Sequence, residues 1–140
     1  MSVLVRATAL GLLAAIQDGG LDGKRERLGE YFADDALYHV QVPAMAMVRG
    51  RTAIVDELVR QTTHYSALDC EITTVVAEGG TVVIERTDHL ILPGGGARVA
   101  NELVAVFEGD QAGRITAWRE YWDPAALGRR IQAATSAGNG

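Results

Sequence analysis

Four successive segments between residues 68 and 122 alternate apolar with polar residues, and this pattern constrains the fold more than any other feature. The segments are 68–77, 81–92, 99–108 and 114–122. A period of two is typical of strands with one buried face. Each connection, at 78–80, 93–96 and 109–113, carries the glycines that tight turns need. The sequence therefore predicts a four-stranded antiparallel meander.

The residues before this meander follow a helical period instead. Helices are predicted over 3–18, from 22 or 24 to 32, and over 50–61, with a short strand at 37–42 between the last two. Pro124 starts a further short helix that ends near residue 131. Helices followed by an antiparallel sheet indicate an α+β fold, in which a curved sheet wraps the helices as a cone with an interior pocket. We expect one domain over 1–132 and a flexible tail over 133–140.

Composition excludes several classes of partner. The chain has 140 residues, a formal charge of -5 and scattered basic residues, which disfavours nucleic acid and anionic membranes. Cys70 is the only cysteine, so no internal disulfide forms, and a reducing, cytoplasmic location is expected. The apolar opening stretch contains Arg6, which argues against a signal peptide, and no later run is long enough to span a bilayer.

Charged residues occur on faces that should be buried. Arg86 and Asp88 share the apolar face of segment 81–92, two residues apart. Glu120 lies between Trp118 and Trp122 on one face of the last segment. Burying an unpaired charge is costly, so these side chains are expected to pair or to be partly neutral. Two acids beside one arginine in a pocket indicate a functional site, although a plain ion pair gives the same spacing.

Two further polar residues are predicted to point inward. Asn101 shares a face with Leu103, Ala105 and Phe107, and Tyr38 belongs to the inner face of the first strand. Either one alone would be an ordinary core polar group, but the set of five exceeds what a core needs. The three histidines lie in separate elements without ligand spacing, so no metal site is expected.

Two short motifs resemble those of the limonene-1,2-epoxide hydrolase family. One is E-R-x-D at residues 85–88, and the other is W-R-E-Y-W-D at residues 118–123. The resemblance extends from about residue 30 to residue 123. It implies the SnoaL-like, nuclear-transport-factor-2-like cone, a homodimer and a cofactor-free, metal-free hydrolase that adds water to a small apolar epoxide in one step.

The resemblance also implies roles for individual residues. Asp88 is the acid, Glu120 the base in place of the family's aspartate, Arg86 bridges them, and Tyr38 holds the attacking water. Val40 stands where the family has an asparagine that helps to hold that water, and Asn101 is the candidate to replace it. The expected substrate pocket adds four apolar side chains, Leu90, Leu103, Phe107 and Trp118.

Two other functions fit the same residues. A cofactor-free isomerase or cyclase on this fold would use the tyrosine or an acid to stabilise an enolate, and the second carboxylate to move a proton. A non-catalytic binding dimer would use Arg86 and Asp88 only as a buried ion pair. The sequence leaves these alternatives open, together with the identity and stereochemistry of the substrate.

Overall fold

The computed structural model describes residues 2–94 and 96–138 and shows an α+β fold with four helices and an open six-stranded sheet. The helices are α1 (Ser2–Gln17), α2 (Arg25–Gly29), α3 (Arg51–Gln61) and α4 (Pro124–Gly138), with a 3-10 turn at Leu21–Lys24 before α2. The strands are β1 (Phe32–His39), β2 (Met47–Arg49), β3 (Ala67–Glu78), β4 (Thr81–Ile91), β5 (Arg98–Gly109) and β6 (Ile115–Tyr121). No helix in these described ranges is long and apolar enough to cross a membrane.

The sheet has the order β2-β1-β6-β5-β4-β3. Strands β3 to β6 pair antiparallel in sequence order, which confirms the predicted meander, whereas β1 joins β6 in parallel. Register shifts in β1, β3 and beside the β5–β6 turn mark bulges, which increase local twist and bend strands. The curved sheet is therefore mixed, as the parallel contact of β1 requires.

Three predicted boundaries in the helices and first strand were wrong. The second helix ends at Gly29, and Phe32 begins β1, because a spacing of i, i+3, i+4 that ends in two aromatics fits either element. The short strand β2 was not predicted. Helix α4 continues to Gly138, so residues 133–138 are helical, whereas the sequence predicted a tail there. Gly95 of the predicted turn and residues 139–140 of the predicted tail lie outside the described residues.

An aromatic cluster fills the core beneath the inner face of the sheet. Trp118 stacks on Tyr38 with ring centroids 4.0 Å apart and on Phe107 at 5.3 Å, and Phe32 lies 6.1 Å away. All four side chains are buried. Offset aromatic pairs add to the free energy that burial alone provides. This cluster fixes the ends of β1 and β6 that carry the site described below.

Replacing Gly113 in the β5–β6 turn should change the free energy of unfolding differently from replacing Gly128 in α4. Gly113 has φ +85°, and a Cβ there would lie 2.8 Å from Leu4 Cβ of α1. Gly128 in α4 has no atom within 4 Å of its Cβ position. Gly113→Ala should lower the free energy of unfolding by about 1–3 kcal/mol. Gly128→Ala should leave it unchanged or raise it by up to about 1 kcal/mol.

Urea unfolding followed by tryptophan fluorescence measures both changes. Equal destabilisation by the two substitutions would show that neither the left-handed conformation nor the contact with α1 matters.

Candidate active site

One guanidinium is held between two carboxyl groups on the inner face of the sheet. Arg86 Nε donates to Asp88 Oδ1 at 2.8 Å, and Arg86 Nη2 donates to Asp88 Oδ2 at 3.2 Å. The same Nη2 donates to Glu120 Oε2 at 2.6 Å. The two carboxyl groups therefore meet at one nitrogen atom. Bidentate, charge-assisted bonds of this kind fix the orientation of both partners.

Three adjacent strands bring these side chains together. Burial alternates along β4, so Arg86 and Asp88 face inward as predicted. Glu120 comes from β6, and its register partner on β5, Ala105, pairs with Ile84 of β4. The backbone of Glu120 is therefore offset from the backbone of Asp88 by about 13 Å along the strand direction, the length of four residues. The long arginine side chain spans this separation.

The three charged groups are almost completely withdrawn from solvent. Arg86, Asp88 and Glu120 are 4%, 7% and 6% exposed. Burial raises the pKa of Glu120, and the Asp88 charge adds to this rise, although Arg86 opposes it. Burial disfavours the charged guanidinium, but Glu120 and Asp88 more than offset this and raise the pKa of Arg86. The arginine therefore stays charged, whereas Glu120 holds a proton more readily than an exposed glutamate does.

Tyr38 lies beside this group on the parallel strand β1. Its register partner on β6 is Trp118, whose indole Nε1 donates to Glu120 Oε2 at 3.1 Å. Gln61 Nε2 donates to the Tyr38 hydroxyl oxygen at 3.2 Å. Burial, followed by the Glu120 charge, raises the pKa of Tyr38 well above its ordinary value. The phenol is therefore neutral and able to donate a hydrogen bond.

A cavity of about 420 Å³ opens beside these residues. Its lining is mostly apolar and includes α1, α3 and α4 as well as the sheet. Among the residues predicted from sequence, Arg86, Asp88, Glu120, Tyr38, Asn101, Val40, Leu103, Trp118 and Leu90 all line it. Phe107, which was also predicted to contact the substrate, does not line the cavity and is fully buried against Trp118.

The two residues linked to the attacking water differ in their placement. Val40 lines the cavity just past the end of β1, where its carbonyl accepts a bond from Trp122 Nε1 at 2.9 Å. Asn101 is the register partner of Asp88. Its side-chain amide makes no hydrogen bond to residues 2–94 and 96–138. The side-chain amide of Asn101 is thus next to Asp88, whereas the Asn101 backbone lies about 13 Å from the level of Glu120 along the strand direction.

Sequence reasoning missed five polar cavity residues: Arg60, Gln61, His64, Tyr65 and Cys70. Burial, followed by the Asp88 charge, raises the pKa values of the Tyr65 phenol and the Cys70 thiol. Gln61 could have been found, because it continues the buried stripe of Ile54 and Leu58 on α3. The described part of the chain contains no group of three His, Cys, Asp or Glu side chains that could hold a metal ion.

Comparisons with known proteins give the same family as the motifs. The family model described as the limonene-1,2-epoxide hydrolase catalytic domain matches residues 5–131. The epoxide hydrolase EphG of Mycobacterium tuberculosis (strain ATCC 25618 / H37Rv) is 36% identical over 113 residues, which cover 79% of this chain and 68% of EphG.

Solved structures show a similar arrangement of elements. An LEH-like epoxide hydrolase from M. tuberculosis superposes with a TM-score of 0.69 and 26% identity, covering 94% of each chain. A SnoaL-like polyketide cyclase structure from Shewanella denitrificans OS-217 superposes with a TM-score of 0.77 and 21% identity, covering 92% of this chain and 97% of that one. The second likeness shows the fold alone. The match over residues 5–131 and the identity to EphG show that the chain belongs to the limonene-1,2-epoxide hydrolase family.

Proposed function

We propose that this protein adds water to a small apolar epoxide in one step and releases a vicinal diol. The observation that carries this proposal is the single guanidinium of Arg86 bonded to two buried carboxyl groups on the wall of an apolar cavity. Epoxide opening needs an acid at the leaving oxygen and a base at the attacking water. Asp88 and Glu120 supply these two functions.

Charge balance favours one proton shared by the two carboxyl groups. Two ionised carboxylates beside one guanidinium would leave a net negative charge in a buried site, which is costly. One protonated and one ionised carboxyl group beside Arg86 give a neutral cluster. The raised pKa of Glu120 also makes its ionised form a stronger base than an exposed glutamate.

The reaction then consists of two proton transfers and two bond changes at carbon. Asp88 gives its proton to the epoxide oxygen while the carbon–oxygen bond breaks. Water attacks the same carbon, and Glu120 takes a proton from that water. The pair holds one proton before and after the step, so a proton must return from Glu120 to Asp88 before the next turnover.

Neutral neighbours assist the two carboxyl groups. The Tyr38 phenol donates a hydrogen bond to the attacking water, as its raised pKa allows. Asn101, opposite Asp88 and without a protein partner in the described ranges, is assigned to the departing epoxide oxygen. This assignment replaces the expectation that Asn101 holds the water.

The substrate is proposed to be apolar because the rest of the cavity is. Nine aliphatic side chains line it: Leu13, Ile16, Val40, Leu58, Leu68, Leu90, Leu103, Leu127 and Ile131. A hydrocarbon skeleton placed there keeps water away from the carboxyl groups and strengthens their interactions.

A cofactor-free isomerase or cyclase is the second candidate. The fold likeness to a SnoaL-like polyketide cyclase structure is compatible with it. The two functions differ in their product, since hydrolysis incorporates an oxygen atom from water and isomerisation does not.

Homodimer formation and a cytoplasmic location remain proposals. Support for a dimer comes from two side chains exposed on the outer face of the sheet, Val76 and Tyr121. Support for a reducing compartment comes from the single cysteine.

Removal of the proposed acid should abolish turnover without unfolding the protein. Asp88→Asn keeps the shape of the side chain but cannot supply an acidic proton, so the rate of diol formation should fall by about 10²–10⁴-fold. Asp69→Asn, on the exposed face of the adjacent strand, is the matched control and should retain the rate. The assay follows epoxide loss and diol formation by chromatography. Normal hydrolysis by the Asp88 variant would refute its assignment as acid.

The proposed base can be tested by changing its chemistry and its length separately. Glu120→Gln should be inactive because the amide cannot accept the proton of water. Glu120→Asp keeps a base but withdraws it by one methylene, so partial activity should remain. Steady-state rates of both variants give the comparison. Equal activity in the wild type and both variants would make Glu120 a structural residue.

Coupling between the two carboxyl groups predicts a pKa change. The Asp88 charge raises the pKa of Glu120, so Asp88→Asn should lower it. Carbon-13 NMR of the glutamate side-chain carboxyl carbons measures this titration directly. Asp69→Asn should leave the Glu120 titration in place. An unchanged or higher Glu120 pKa in the Asp88 variant would mean that the Asp88 charge does not raise the pKa of Glu120.

A further inference from the structure

One oxygen atom of Glu120 is free to bind water. Oε2 accepts hydrogen bonds from Arg86 and from Trp118. Oε1 accepts none from the described residues. Among those residues, Arg86 Nη1 is the sole solvent-inaccessible side-chain nitrogen or oxygen that lacks a hydrogen bond. Glu120 Oε1 also lacks one, so this atom must be accessible, and it faces the cavity that Glu120 lines. The proton acceptor for the attacking water is thus this oxygen.

Gln61 lies at the end of α3 with its amide facing the same cavity. The residue follows Ile54 and Leu58 along the buried stripe of the helix. Its Nε2 donates to the Tyr38 hydroxyl oxygen, which directs the hydroxyl proton away from Gln61. The amide oxygen of Gln61 has no hydrogen-bond partner in residues 2–94 and 96–138. One amide therefore fixes Tyr38 and still has a free acceptor.

The chemistry of the attacking water defines what it needs from its neighbours. One lone pair must attack carbon, so the water can accept one hydrogen bond and donate two. Tyr38 supplies the donor, and Glu120 Oε1 accepts the hydrogen that is transferred. A second acceptor is required, since buried waters typically make about three hydrogen bonds. Val40 has an apolar side chain, and Asn101 lies at the level of Asp88.

We propose that Gln61 is this second acceptor and so binds the attacking water directly. Its Oε1 accepts the water hydrogen that is not transferred, while its Nε2 holds the Tyr38 hydroxyl in the donating orientation. The water keeps one lone pair free, and this lone pair is directed toward the substrate carbon. The assignment rests on the proposed epoxide hydrolysis.

The test replaces the amide by an apolar group of similar size. Gln61→Leu should lower kcat by about 10–100-fold, the order expected when a reacting group loses its alignment. The KM for the epoxide should not change, because Gln61 contacts the attacking water and not the epoxide. Gln132→Leu, at an exposed site of α4, is the matched control and should have wild-type kinetics.

A second variant separates water binding from helix packing. Val40 lines the cavity two residues beyond Tyr38, so Val40→Asn introduces a new amide on the cavity wall. Adding Val40→Asn to Gln61→Leu should recover much of the lost kcat. Should the leucine variant not fold, Gln61→Asn retains the polar group and should show an intermediate kcat.

The results distinguish this assignment from the proposed function itself. If the wild type hydrolyses epoxides and Gln61→Leu keeps the wild-type kcat, the role of Gln61 is overturned and the hydrolase proposal stands. A loss confined to KM, or a loss of kcat that Val40→Asn fails to recover, also overturns it by indicating a packing role. A wild-type protein that hydrolyses no epoxide overturns both.

Discussion

The bonds from Arg86 to Asp88 and Glu120 are the interaction on which the site depends. Buried charges lose their hydration, and attraction between them often fails to repay this loss. Removing one partner of such a pair typically costs about 3–5 kcal/mol. An apolar core would avoid that cost, so a cluster of this kind beside a cavity indicates a chemical role. The shared proton that limits its charge is the same proton that the proposed reaction uses.

The fold holds this cluster by register rather than by nearness in sequence. Strands β4, β5 and β6 set the carboxyl groups at different levels, and the arginine side chain spans them. The parallel contact of β1 with β6 places Tyr38 over Trp118, which in turn bonds to Glu120. Helices from both ends of the chain close the apolar part of the cavity. The site therefore draws on five of the six strands, β1 and β3 to β6, as well as on the helices.

Alternation along strands made part of this site predictable. Arg86 and Glu120 were identified because each interrupts an apolar face with a charge. Phe107 was predicted to contact the substrate but packs against Trp118 outside the cavity lining, since alternation gives the face of a strand and not the position along it. Gln61 was missed because its contact with Tyr38 depends on how α3 packs against the sheet. Phe32 was placed in a helix because a helical spacing of three apolar residues also fits the start of a strand.

The most direct test of the account is a single turnover of an epoxide by excess protein in water enriched in oxygen-18. Hydrolysis by an acid and a base predicts one labelled oxygen in the diol. Peptides that contain Asp88 or Glu120 should carry no label when analysed by mass spectrometry. An unlabelled isomer of the epoxide in place of a diol would show isomerisation. An unlabelled diol together with label in either carboxyl group would show a covalent ester. Each result would contradict one-step addition of water.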